Sequence, residues 1–102
     1  MSISKTARFR VRAAHAGEAI EAIETFVRAI EADEPATRLY ATFRREGDPI
    51  EFLHVMVFED SKAEKRHRSS SAVRRFTDVL YPITVDGVRF DDWSLIATTR
   101  LR

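Results

Sequence analysis

The sequence predicts an α+β fold, a four-stranded antiparallel sheet with helices on one face. Three observations carry that prediction. Residues 6–13, TARFRVRA, alternate strictly between apolar and polar, the mark of a half-buried strand. Ala19, Ile20, Ile23, Phe26, Val27 and Ile30 fall along one face of a helix. Residues 52–58, FLHVMVF, are apolar on both faces, so both sides of their sheet need cover. The helices of so short a chain cover one side; a second subunit or a ligand is needed for the other.

The elements follow in order. In the first strand Ala7, Phe9, Val11 and Ala13 share one face, and Thr6, Arg8, Arg10 and Arg12 the other. Gly17 precedes the first helix, and Glu18, Glu21 and Glu24 occupy its first turns, where the macrodipole favours acids. Pro35 stops it. A second strand spans 38–45, with Leu39, Ala41 and Phe43 alternating with Tyr40, Thr42 and Arg44. Glu46-Gly47-Asp48-Pro49 is a turn into the third strand, 50–58. There Phe52, His54, Met56 and Phe58 point one way and Leu53, Val55 and Val57 the other. Ser61 is placed to cap a helix, and Glu64 three residues on completes a capping box. Ser69-Ser70-Ser71 interrupts that helix, because serine competes for backbone hydrogen bonds. It resumes through Ala72, Val73, Phe76, Val79 and Leu80 and ends at Pro82. After Asp86-Gly87, residues 88–99 read as a fourth strand, with Trp93, Leu95 and Ala97 on one face and Ser94, Ile96 and Thr98 on the other. Phe9, Phe43, Phe76 and Phe90 are expected in the core. The order β-α-β-β-α-β is the ferredoxin-like arrangement, expected as one domain over residues 1–102 with its core at about 7–98.

Composition narrows function. The hydrophobic fraction of 44% and charged fraction of 32% describe an ordinary globular chain. A net charge of +1 supplies no field to gather nucleic acid or anionic lipid. With no cysteine, disulfides, thiolate catalysis and cysteine-based zinc sites are excluded. The N-terminal residues form no apolar signal core, and no apolar run approaches the ~18 residues of a membrane span. The expectation is a cytoplasmic protein with no membrane or nucleic-acid partner. Three glycines build no phosphate loop or dinucleotide fingerprint.

Two histidines stand out. His67 sits early in the second helix, where imidazole can carry a proton near neutral pH; the alternative is a solvated ring among Lys65, Arg66 and Arg68. His54 lies mid-strand between Phe52 and Met56, so it needs a partner or a wet cavity. The two are not at metal-ligand spacing, so no metal site is expected. Arg8, Arg10 and Arg12 either line a cavity, binding a planar anion, or pair across strands with Glu51, Glu59, Asp91 or Asp92. Tyr40, Phe58 and Trp93 read as walls for an aromatic ligand or as packing.

A resemblance joins these pieces. Asp33-Glu34-Pro35-Ala36 closes the first helix before Leu39-Tyr40. The strand Phe52–Phe58 runs into Glu59-Asp60-Ser61, Ala63 and His67 follow four apart, and Val73 and Phe76 come after. This resembles the antibiotic biosynthesis monooxygenase family, a branch of the dimeric α+β barrels, over about residues 7–98. The resemblance implies a homodimer with a pocket between sheet and helices in each subunit. It implies oxygenation of small aromatic or quinol-like compounds without metal, flavin or haem. Two positions depart from the family pattern: Ala36 stands for a common Gly, and Phe58 for a common Trp. The haem-degrading branch combines that Trp with the helix His and an Asn on the first strand. The strand TARFRVRA has no Asn, so haem degradation is not expected. The reading is a cofactor-independent monooxygenase with His67 and His54 catalytic and Tyr40, Phe58, Trp93 and Arg10 about the substrate. A non-catalytic ligand-binding dimer, or an isomerase or cyclase on the same barrel, stays open. The substrate is not named by the sequence.

Overall fold

The computed structural model describes residues 1–99. Strands β1 (Ile3–Val11), β2 (Thr37–Arg44), β3 (Glu51–Phe58) and β4 (Thr84–Trp93) alternate with helices α1 (Ala16–Asp33), α2 (Ser61–Arg68) and α3 (Ser71–Leu80). The strands form one sheet in the order β2-β3-β1-β4 with antiparallel neighbours, the ferredoxin-like order. The helices lie on one face.

Several boundaries differ from expectation, each for a local reason. β1 begins at Ile3 because Ile3, Ser4 and Lys5 pair with Phe58, Val57 and Met56, which propensity alone does not show. Gly17 lies inside α1, and a short 3-10 turn over Ala13–His15 leads into it. Asp86-Gly87 does not precede β4 but sits within it. Phe9 pairs with Val88 and Arg10 with Val85, leaving Asp86 (φ 64°) and Gly87 (φ 75°) as a left-handed bulge. β4 ends at Trp93, so residues 94–99 are not strand. The cap of α2 is Asp60, not Ser61: Asp60 Oδ1 accepts from the Ala63 backbone N–H at 2.9 Å. Glu64 therefore completes no capping box, and its carboxylate meets Arg68 at 2.7 Å and Lys5 at 3.8 Å. The serine break is as expected. Ser69 Oγ donates to the Lys65 carbonyl at 3.1 Å, and Ser70 Oγ accepts from the Val73 N–H to restart the helix as α3.

The core lies between sheet and helices. Phe26 of α1 stacks on Phe76 of α3 with centroids 4.4 Å apart, and Phe9 stacks on Phe52 across strands at 5.5 Å. Phe43 and Phe90, expected in this core, are instead 56% and 60% exposed in the single chain. Phe43 belongs to the sheet face without helices; Phe90 is on the edge strand β4, beyond helix cover.

The helix-free face carries Leu39, Ala41 and Phe43 of β2, Leu53 and Val55 of β3, and Trp93 of β4. Cross-strand register places Trp93 opposite Ser4, and its Nε1–H donates to Thr6 Oγ1 at 2.8 Å. Arg10 is on this face too, 3.0 Å from Asp48 and 3.3 Å from Glu51. Of the two readings of the arginine stripe, cross-strand pairing describes Arg10.

Candidate functional site

A cavity of about 510 Å³ lies between the sheet and helices α2 and α3. The helices pack closest to β2 and β3. Ala7, Phe9 and Val88 floor the cavity, His67 and Phe76 roof it, and Tyr40, His54 and Phe58 close its inner end. Lys5, Glu64, Arg68, Tyr81 and Phe90 also line it; of these, Arg68, Tyr81 and Phe90 are exposed and mark the mouth.

Alternation along β3 aims His54 at this cavity between Phe52 and Met56. The ring is 1% exposed, edge-on to Phe9 (5.1 Å between centroids) and to Tyr40 (5.2 Å), and stacked on Phe76 (5.7 Å). Its Nδ1 lies 2.6 Å from Tyr40 Oη, and its Nε2 is buried with no hydrogen-bond partner. Burial, with the His67 charge second, pushes the His54 pKa down to about 4, so the ring is neutral near pH 7. Burial, with the Glu34 charge second, pushes the Tyr40 phenol well above its ordinary range, so it keeps its proton.

His67 is buried, not solvated among the basic residues beside it in sequence. At 3.6 residues per turn it falls on the inner face of α2 with Ala63 and Glu64, while Lys65, Arg66 and Arg68 face water. Its Nδ1 lies 2.9 Å from Glu34 Oε1, and Thr37 Oγ1 donates to the same oxygen at 2.8 Å. Phe58 packs 5.1 Å from the His67 ring, and Tyr40 5.6 Å. In the neutral tautomer that donates Nδ1–H to the Glu34 carboxylate, Nε2 is left with the lone pair, the arrangement of a general base held by an acid.

The structure thus brings His67, His54, Tyr40 and Phe58 to one cavity. It leaves out Trp93 and Arg10, because both belong to the opposite face of the sheet. Sequence reasoning missed Glu34 and Thr37. A signal was present: Glu34 closes α1, where the macrodipole disfavours an acid, so a compensating partner was to be sought. Among the described residues no three His, Asp or Glu side chains gather to hold a metal ion, and no helix is long and apolar enough to cross a membrane.

The fold and site define an α+β protein with a histidine-lined cavity under its helices. The model of the antibiotic biosynthesis monooxygenase family matches residues 2–79, and the chain belongs to that family. Solved structures share the fold. A candidate antibiotic biosynthesis monooxygenase from Bacteroides thetaiotaomicron VPI-5482 aligns with a TM-score of 0.89 at 12% identity, over 99% of this chain and 96% of that one. One from Caulobacter crescentus CB15 aligns with a TM-score of 0.88 at 16% identity, over 94% and 91%. One from Nitrosomonas europaea aligns with a TM-score of 0.89 at 12% identity, over 97% and 94%. No curated protein matches the sequence.

Proposed function

We propose that this protein is a homodimeric, cofactor-independent monooxygenase acting on a small aromatic or quinol-like compound. The observation that carries the reading is His67, its Nδ1 held by Glu34 and its ring on an aromatic cavity. Family membership supports the reaction type.

His67 Nε2 takes the proton of a substrate hydroxyl, and Glu34 stabilises the imidazolium that forms. The phenolate, electron-rich at its ortho and para carbons, is the reductant, and dioxygen is the oxidant. A new C–O bond at such a carbon gives a ring hydroperoxide. Loss of that carbon's proton and cleavage of the O–O bond leave a quinone carbonyl and release the second oxygen as water. Overall, one phenol and one O₂ give one quinone and one H₂O. Apolar walls keep water from the anion until oxygen meets it. The apolar helix-free face, with Leu53, Val55, Phe43 and Trp93, is the surface a second copy covers.

Oxygen uptake with a panel of phenols and hydroquinones tests this. His67→Ala should lower turnover by about 10²- to 10⁴-fold, the usual span for a general base. Unchanged turnover in that variant sinks the catalytic role. A base and a neutral imidazole that can donate an N–H in one cavity also suit an isomerase, so conversion of substrate without oxygen uptake would select that reading.

A further inference from the structure

We propose that His54 is a hydrogen-bond donor to the ligand of this cavity: Tyr40 fixes its proton on Nε2, and that N–H holds the oxygen that becomes anionic in a planar phenol or enol. This rests on the preceding reading only in taking the cavity as a ligand site; it needs no oxygen chemistry.

Only one hydrogen fits in the 2.6 Å between Tyr40 Oη and His54 Nδ1. A phenol is the stronger donor and a neutral imidazole nitrogen the stronger acceptor, so Tyr40 donates and Nδ1 accepts. A neutral ring then carries its remaining proton on Nε2. That nitrogen has no partner among the described residues, although the ring is 1% exposed. A buried N–H left unpaired costs stability, and sites that tolerate one are commonly completed by a ligand or an ordered water. His54 is one of the side chains that line the cavity. Burial also keeps His54 neutral near pH 7, which removes it as a competing base.

The two imidazoles therefore have opposite polarity. Glu34 takes the Nδ1–H of His67 and leaves its Nε2 a lone pair; Tyr40 fills Nδ1 of His54 and leaves its Nε2 a proton. A ligand hydroxyl that gives its proton to His67 becomes an oxyanion, and His54 Nε2–H is the donor for that charge. Tyr40 is on this account a positioning residue rather than only a wall. The ligand class follows: a flat, small ring with an ionisable hydroxyl, in preference to an ether or hydrocarbon of the same size.

Two measurements test the assignment. The first is ¹⁵N NMR of the histidines in the full chain. Wild-type His54 should show Nε2 protonated and Nδ1 as acceptor, and Tyr40→Phe should release a mixture of tautomers. An Nδ1–H tautomer in the wild type overturns the proposal. The second is binding of 4-nitrophenol and of 4-nitroanisole, which matches its ring but has no proton to give. The double variant Tyr40→Phe, His54→Phe keeps the aromatic packing and leaves no orphaned hydroxyl. It should bind 4-nitrophenol about 10- to 100-fold more weakly, the value of one hydrogen bond to a charged group, and 4-nitroanisole within about threefold of wild type. No binding of 4-nitrophenol to the wild type, or equal binding by both proteins, overturns the proposal. If both probes weaken together, a shift of the His54 Nε2–H resonance when 4-nitrophenol binds the wild type supports it, and no shift overturns it. A protein that passes these tests yet consumes no oxygen with any phenol refutes the monooxygenase reading alone.

Discussion

Acid should destabilise this fold through His54, with the cost confined to a definite pH window. In the unfolded chain the imidazole titrates near 6.5; in the fold it is pushed down to about 4. The cause is the loss of water around an imidazolium enclosed by Phe9, Phe76 and Tyr40, with repulsion from His67 second. Between those two values the unfolded chain binds more protons than the fold, so stability falls as pH falls. Above 6.5 the contribution is fully present; by pH 4 most of it is gone. At ~1.36 kcal/mol per pH unit the gap corresponds to about 3 kcal/mol. Against a domain stability of about 5–15 kcal/mol that is a large share. The assay is urea unfolding from pH 7.5 to 4, at one protein concentration, for the wild type and for Tyr40→Phe, His54→Phe. The two proteins differ only at residues 40 and 54, so the comparison isolates the contribution of His54. Wild type should therefore lose about 3 kcal/mol relative to the variant between pH 6.5 and 4. Parallel curves would refute the reasoning, because they would mean that His54 charges in the fold without penalty.

Further predictions concern single contacts. Glu34→Gln should keep the shape of the site but leave the His67 imidazolium without a counter-charge. Turnover should fall on the order of 10²-fold or more with KM little changed, read from steady-state kinetics. Asp60→Ala should cost about 1 kcal/mol in urea unfolding, whereas Ser61→Ala should be near neutral, because the cap of α2 is Asp60. Leu53→Asp places a charge on the helix-free face. It should weaken the proposed dimer about 100-fold or more, so that in sedimentation the variant stays monomeric at concentrations where the wild type self-associates.

Much of the fold was legible in the chain because short-range periodicity controls it. Ala7, Phe9 and Val11 alternate with Arg8 and Arg10, and the structure sets the first three toward the helices. Ile23, Phe26 and Ile30 form the buried stripe of α1 as their spacing demands. The serine break in the second helical segment was visible because Ser69 bonds its own preceding carbonyls, an interaction that needs no tertiary partner. Caps and bulges were less legible. Asp60 and Ser61 are both good caps, and only the approach of the chain from β3 selects Asp60. Asp86-Gly87 looks like a turn in sequence; pairing of β1 on both its flanks makes it a bulge.

The sequence by itself determined the strands and helices, the doubly apolar β3, and the presence of His54 and His67. Those features depend on side-chain type and on periods of two and 3.6 residues, which are local. Tertiary structure alone decided the partners that give the histidines their chemistry. Glu34 reaches His67 across 33 residues of chain, and Tyr40 reaches His54 across 14, because α1 ends beside α2 and β2 pairs with β3. It also decided which face of the sheet the cavity occupies. Alternation places Arg10 opposite Phe9 in either case; only helix packing on the Phe9 side sends Arg10 and Trp93 to the other face.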